Sequence, residues 1–479
     1  MSGIKKNMVW STILTTANYI FPLIVYPYVS RVLGVTNLGT CNFVDSIINY
    51  YSLFAMMGIN TVAIREISEA KTDQSNLSKT FSSLLTLNLI TTSIMMLALI
   101  SSIFLIPRFY ENKELMFVGV FKLLFNTLVI EWFYRGLEDF RYITIRSILV
   151  RALYVISVFF FVRESSDYPI YYALTVMTVV LNGIINVFYS KKYIRFSFRG
   201  IRLRPFVGPF FILGLYAILT SMYTTFNTAY LGFICGDEQV GYYTTATKLH
   251  SIILSIFTAF TGVMLPRMSS LLAQNKRDEF TTYFNKSIEV IFCFAAPIIC
   301  LCIPFADQIV RWISGPGYEQ AIPCMQVIMP LIFVIGFDQI ITIQILLPLK
   351  RDKDVLCISF VGAVVGILAN ILLVAKLQSL GSSIAWLSSE IIVLSIAQHF
   401  ASKHTGLHFP FKKMLFYFLS STPLLIILIL IHKWNPIGLY TILLAGVITI
   451  AYSFIFETYI NKNEIIVSLI NQVMNIIKK

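Results

Sequence analysis

The sequence predicts an all-α polytopic membrane protein with about fourteen transmembrane helices. Three observations point there. The chain of 479 residues is 57% hydrophobic and 13% charged, with mean hydropathy +0.76, whereas a soluble domain carries about 25% charged residues. Apolar runs of about 20 residues recur from end to end, each able to cross a hydrocarbon core of about 30 Å. The segments between those runs alternate between rich and poor in Lys and Arg, as loops on opposite sides of a membrane do. A transmembrane barrel would show short alternating strands, and none are present.

The spans read, in order, as 8–30, 40–63, 81–106, 115–134, 143–162, 169–190, 206–234, 241–265, 286–306, 321–347, 355–375, 382–401, 412–431 and 437–457. The first is too long for the core of a signal peptide, and no small-residue cleavage site follows, so it is an uncleaved span. Taking alternate segments with the flanking span ends, 27 of the 37 Lys/Arg residues fall on the N-terminal side, seven on the other side and three inside spans. That asymmetry places both termini in the cytoplasm. It also accounts for the net charge of +13 without invoking nucleic acid, since basic loops face anionic lipid. The seven cysteines sit mostly in apolar spans and lack metal-binding or redox spacing, so they read as small buried hydrophobes.

An internal duplication organises the chain. At a constant offset of 202 positions, Gly34 matches Gly236, Gly39 matches Gly241, Arg65 matches Arg267 and Ser68 matches Ser270. In each copy a Gly-containing turn opens an apolar span and a basic residue closes it. An even number of spans per copy keeps both halves in one orientation, which predicts parallel repeats. The expected domains are a six-helix lobe at 1–192, a basic cytoplasmic linker at 193–205, a second six-helix lobe at 206–403, and two further helices with a tail at 404–479. Prolines inside spans (Pro22, Pro27, Pro209, Pro297, Pro304, Pro330, Pro423) predict bends, either static or part of gating.

Charges within spans are costly and mark pathways or ion pairs. Asp45, Lys122, Glu131, Arg151, Lys248, Asp338 and Glu390 fall in this class, and Arg31 lies at the end of span one, where it can snorkel. Glu131 and Arg135, four apart, are expected to form a local helix pair. For Lys122, Arg151 and Lys248 two readings stand. They pair with Asp45, Asp338 or Glu390 as structural bridges, or they form the cationic wall of a cavity for an anionic substrate, with Arg presenting a fork and Lys a point charge. Tyr50/Tyr51, Tyr171/Tyr172 and Tyr242/Tyr243 are expected at membrane interfaces, and His250 as a packed polar residue. No P-loop, metalloprotease or nucleophile-elbow motif is present, and no loop is long enough to host chemistry. The chain reads as no enzyme, with no metal site and no cofactor.

The stretch PLIVYPYVSRVLGVTNLGT followed by GINTVAIREIS, with the midchain GYYTTATKLHSIILSIFTAFTGVMLPRMSSL, resembles the polysaccharide transporter (O-antigen flippase) family of the multidrug/oligosaccharidyl-lipid/polysaccharide exporter superfamily. The resemblance implies two six-helix lobes around a central cavity, alternating access, and a bacterial inner-membrane location. The implied substrate is an undecaprenyl-diphosphate-linked oligosaccharide repeat unit, moved from the cytoplasmic to the periplasmic leaflet. A glycan polymerase and a chain-length regulator are the implied candidate partners. Arg31, Lys122, Arg151 and Lys248 become candidates for holding diphosphate or acidic sugars, and Asp45, Asp338 and Glu390 for coupling to H+ or Na+. A lipid II flippase, a cation-coupled multidrug exporter of the same superfamily, and a non-transporting scaffold of glycan assembly are the alternatives.

Overall fold

The computed structural model describes residues 2–195, 201–274, 276–434, 438–461 and 463. Part of the basic linker, including Arg199, and most of the C-terminal tail lie outside the described residues.

Long helices form because the apolar runs leave the backbone no other way to satisfy its hydrogen bonds in lipid. The first stretch contains α1 (Ser2–Met56), α2 (Ile59–Ala70), α3 (Gln74–Leu105), α4 (Pro107–Glu111), α5 (Lys113–Leu128), α6 (Glu131–Gly136), α7 (Phe140–Phe161) and α8 (Tyr168–Ser190). After the basic linker come α9 (Arg204–Thr224), α10 (Phe226–Cys235), α11 (Asp237–Ala273), α12 (Arg277–Cys302), α13 (Ala306–Ser314), α14 (Ala321–Ile328) and α15 (Leu331–Gln339). The chain closes with α16 (Asp352–Thr405), α17 (Phe411–Ser420), α18 (Thr422–Trp434) and α19 (Leu439–Ile455). Local sequence sets several ends. The Asp73 carboxylate accepts the Ser75 N–H at 2.9 Å to start α3, and Asp139 accepts the Tyr142 N–H to start α7. Pro107 opens α4. Gly406 closes α16 in a left-handed conformation, its N–H returning to the Ser402 carbonyl.

Among the described residues, twelve helical segments are long and apolar enough to cross a membrane. Two are about twice the length one crossing needs: Val9–Met56 with 48 residues and Asp352–Thr405 with 54. Each is interrupted by one non-helical residue, Gly34 (φ 75°) or Gln378 (φ 52°). Large apolar side chains such as Leu97, Leu105, Leu149 and Leu372 are exposed along the helices, as a lipid-facing surface requires. This is a multi-pass membrane protein.

Contacts divide the chain into two compact units, one of residues 1–244 with 366–382, the other of 245–365 with 383–479. In the first unit the core below α1 is built from α2, α3 and α6, where Phe81 packs against Trp132 and Phe133 with Ile59, Ile67 and Leu84 around them. In the second unit α18 and α19 pack Leu424, Leu428 and Ala445 against Cys300 and Phe305. The span expected at 321–347, with a bend at Pro330, runs from Ala321 to Leu346 and is divided at Pro330, its end widening to a π-helix over Ile340–Leu346. Proline removes the backbone donor that would continue the helix.

The 202-residue offset reappears as geometry inside the first unit. Gly34 and Gly236 share one unusual conformation (φ 75°, ψ 172° and φ 87°, ψ 176°), which an L side chain resists. A Cβ at Gly39 would fall 1.8 Å from the Asp237 carbonyl oxygen, and one at Gly241 would fall 2.3 Å from the Val35 carbonyl oxygen. Positions 35 and 237, and 39 and 241, are offset partners, so these two contacts are reciprocal. Asn42 donates to its own counterpart, Thr244, at 2.9 Å. Thr40 and Arg108 both bond the Asp237 carboxylate.

Candidate functional site

In the first unit a cavity of about 540 Å3 is lined by Asn49, Ser52, Asn60, Asn126, Glu131, Trp132 and Arg135, among apolar neighbours. Its wall exists because the helix breaks after α5. Ile130 takes a left-handed conformation (φ 36°), and α6 restarts at Glu131, turning Glu131, Trp132 and Arg135 toward the cavity. The break frees the Val129 carbonyl, and the buried Asn186 amide of α8 donates to it; the Tyr134 hydroxyl in turn donates to the Asn186 carbonyl. Buried backbone groups must find such partners. The cavity offers polar groups of its own: Ser52 Oγ and Trp132 Nε1 are buried with no hydrogen-bond partner among the described residues. Unpaired buried donors cost about 1–3 kcal/mol each, and a polar ligand relieves that cost.

Charge around the cavity is unbalanced. Glu131 Oε1 accepts from Arg135 Nη2 at 2.7 Å and from Nε at 2.9 Å, which is the local pair expected from their spacing. Its other oxygen takes one longer contact from Arg146 Nη2 at 3.4 Å. Arg151 stands within electrostatic range of both Glu131 and Arg146. One carboxylate therefore serves three guanidiniums. Arg146 Nε and Nη1 and Arg151 Nη1 are buried with no acceptor among the described residues.

At the cavity edge, Lys122 Nζ donates to Asp45 Oδ1 at 2.5 Å and to Asn49 Oδ1 at 2.8 Å, while Asn49 Nδ2 donates to Asp45 Oδ2 at 3.0 Å. Of the two sequence readings for Lys122, the structure has the interhelical pair, with Asp45 as its partner. In the second unit Asp338 accepts from Thr342 Oγ1 at 3.2 Å, and the buried Glu390 accepts from Trp386 Nε1 at 3.0 Å. The two carboxylates lie within electrostatic range of each other. The Trp386 ring meets buried His250 edge-on, centroids 5.2 Å apart. Lys248 is half-buried on α11 in the same unit, and Arg31 is exposed on α1 in the first. The structure therefore groups Lys122 with Asp45, Arg151 with Glu131, and Asp338 with Glu390.

The profile of the family described as "Polysaccharide biosynthesis protein" matches residues 4–272. The chain belongs to that family. A second profile, described as "MatE", matches residues 213–372. The chain is 25% identical, over 399 residues, to an Escherichia coli K12 protein named "Putative O-antigen transporter", covering 82% of this chain and 95% of that one. A Shigella dysenteriae protein of the same name is 24% identical, with coverage of 81% and 98%. Among solved structures, a lipid II flippase in an inward closed conformation superposes with TM-score 0.77 at 16% identity, covering 94% of this chain and 99% of that one. An inward-facing multidrug resistance transporter of the exporter superfamily superposes with TM-score 0.65 at 12% identity, over 81% and 94%. At such identities the superpositions show a shared fold.

This family member is thus a membrane transporter of polysaccharide biosynthesis and not an enzyme. Sequence reasoning overlooked Ser52, Asn60, Asn126, Trp132 and Arg146. Three of them, Asn60, Asn126 and Arg146, were visible as polar residues within or beside apolar spans; Arg146, close to the start of its span, was counted with the loop charges. Trp132 carried no signal, because only the break at Ile130 turns it inward. Tyr171, Tyr172, Tyr242 and Tyr243 are buried; the Tyr243 hydroxyl accepts from the Asn227 amide at 3.0 Å and the Tyr242 hydroxyl donates to Glu238 on its own helix at 2.6 Å.

Proposed function

We propose that this chain is a flippase for undecaprenyl-diphosphate-linked oligosaccharide repeat units, of O-antigen or of a capsular or extracellular polysaccharide. It would move them from the cytoplasmic to the periplasmic leaflet of the bacterial inner membrane by alternating access. The observation that carries this reading is a polar cavity whose one lining carboxylate, Glu131, pairs with Arg135 on the wall and has the guanidiniums of Arg146 and Arg151 near it, outside the lining. A diphosphate carries the complementary charge, and Arg forks suit its oxygens. The cavity's Asn, Ser and indole groups have the hydrogen-bonding character that sugar hydroxyls require. The E. coli and Shigella relatives named for O-antigen transport support the substrate class.

In this reading Arg135 on the cavity wall and Arg151 behind it attract the diphosphate. Lys122 and Asp45 hold the cavity edge closed as a pair and open it by exchanging partners, while Arg31 and Lys248 steer acidic groups. Asp338 and Glu390, two carboxylates in one buried neighbourhood, are suited to a proton or Na+ that couples transport to an ion gradient. Reading each kinked double-length helix as two spans gives fourteen, and the Gly34/Gly236 and Asn42/Thr244 correspondences support parallel six-helix repeats at 1–192 and 206–403, followed by two added helices. The basic loops support cytoplasmic termini. A glycan polymerase and a chain-length regulator are the partners that would consume the flipped unit.

Complementation tests this directly. The chain is expressed in bacterial strains lacking either the O-antigen flippase or the lipid II flippase. Return of surface O-antigen without rescue of viability is expected. Rescue of viability alone moves the assignment to peptidoglycan precursor. Parent activity in a chain carrying Lys122→Gln, Arg151→Gln and Lys248→Gln together would remove the cationic-cavity mechanism.

A further inference from the structure

A second cavity, separate from the first, opens between α7 and α8 as a groove of about 570 Å3. One end is basic and aromatic. Arg141, Arg146 and Lys192 line it, and the Tyr142 and Tyr189 rings stack with centroids 3.7 Å apart and planes 11° apart. Lys192 Nζ lies 5.6 Å from the Tyr189 ring centre and 5.5 Å from that of Tyr193, and the Arg146 guanidinium lies 5.9 Å from that of Tyr142. The one acid in the groove, Asp139, is already engaged by the Tyr193 and Tyr189 hydroxyls at 2.9 Å and 3.3 Å. Burial, with its hydrogen-bond contacts to Tyr189 and Asp139, pushes the Tyr193 phenol up, so it stays a neutral donor. Toward its other end the groove is apolar: Ile145 and Leu149 are 40% and 64% exposed on a helix of membrane-spanning length.

We propose that this groove binds the phosphate headgroup of an anionic membrane lipid, with the acyl chains lying along Ile145 and Leu149. Three features favour that occupant over a soluble anion. Cations and exposed apolar side chains share one groove, so a ligand that fills it is amphipathic. Arg146 is 95% buried by its 5% exposure, yet its Nε and Nη1 have no acceptor among the described residues, and a phosphate oxygen is the acceptor that suits a guanidinium. The basic end lies at the start of α7, where the Thr144 hydroxyl bonds the Trp10 carbonyl near the start of α1 at 3.0 Å. Basic pockets at the ends of membrane helices are where anionic headgroups reside. The lipid here is a bound structural or regulatory component, so the site stands whether or not the flippase reading does.

The test uses the full chain, purified in detergent and delipidated, with thermal unfolding followed as palmitoyl-oleoyl-phosphatidylglycerol, palmitoyl-oleoyl-phosphatidylcholine or inorganic phosphate is titrated. Phosphatidylglycerol is expected to stabilise the parent at concentrations where phosphatidylcholine and inorganic phosphate do not. The exposed double variant Arg141→Gln/Lys192→Gln is expected to weaken that response by about tenfold or more. Arg146→Lys keeps the charge and loses the fork, and is expected to give an intermediate response if folded. An equal response to inorganic phosphate would make this a free-phosphate site and overturn the lipid assignment. Equal responses to the two lipids, or an undiminished response in the double variant, would overturn the site itself.

Discussion

The reciprocal approach of Gly39 and Gly241 makes the sharpest prediction. In Gly39→Ala the new Cβ would lie 1.8 Å from the Asp237 carbonyl oxygen, 2.7 Å from its carbon and 2.9 Å from the Gly241 nitrogen. Ordinary contact begins at 3.4 Å, so the two backbones must separate by about 1.6 Å. Every atom in the way is backbone, so no side chain can swing aside. Overpacking of this kind costs about 1–3 kcal/mol, and the rigidity of the obstacle argues for the upper end. A cost of about 3 kcal/mol disfavours the closed contact about 150-fold. The contact is reported by Asn42→Cys and Thr244→Cys, at positions now joined by a 2.9 Å hydrogen bond, joined instead by a short bifunctional thiol reagent in membranes. The parent pair should cross-link readily, and adding Gly39→Ala should reduce the yield severalfold. Gly446→Ala, where a Cβ meets nothing within 4 Å, should leave it unchanged. Cross-linking in Gly39→Ala at the parent rate would refute the close approach, and with it the reciprocal geometry of the repeats.

Other perturbations follow from the buried polar contacts. Lys122→Gln or Asp45→Asn alone leaves one charge without its partner and should cost about 1–3 kcal/mol, less than a fully buried pair because Asp45 is 35% exposed; the double variant should recover most of it, as a double-mutant cycle of thermal unfolding would record. Arg135→Gln, at an exposed pair, should cost under about 1 kcal/mol, whereas Glu131→Gln strands three guanidiniums and should sharply lower the yield of folded protein, measured by detergent size exclusion. Asn370→Leu removes donors to Asn227 Oδ1 (2.6 Å) and the Gly366 carbonyl (2.7 Å) in a fully buried site, and should destabilise by about 1–3 kcal/mol. Trp386→Phe deletes the indole hydrogen bond to Glu390, and should alter the pH or Na+ dependence of transport while leaving protein levels near those of the parent.

The membrane class, the approximate places of the helices and the family resemblance were legible from the sequence, because each rests on a local quantity. An apolar run of membrane length must be helical whatever its neighbours are, and basic loops set orientation through their own charge. The glycine pair at the 202-residue offset was legible for the same reason: Gly34 at φ 75° and Gly236 at φ 87° are needed by the local backbone. Pairings were not. Depth in a span marked Lys122 and Asp45 as costly, but nothing in their spacing of 77 positions joins them; only helix packing decides which buried charges meet. The cavity wall came from a single left-handed residue, Ile130, held by the Asn186 amide from another helix. The α7–α8 groove likewise needs two helix ends side by side before Arg141, Arg146 and Lys192 become one basic patch. Sequence by itself determined that these residues must be buried or must face lipid. Tertiary structure decided which of them face each other, because contact energies act across space and a linear pattern carries no distance between helices.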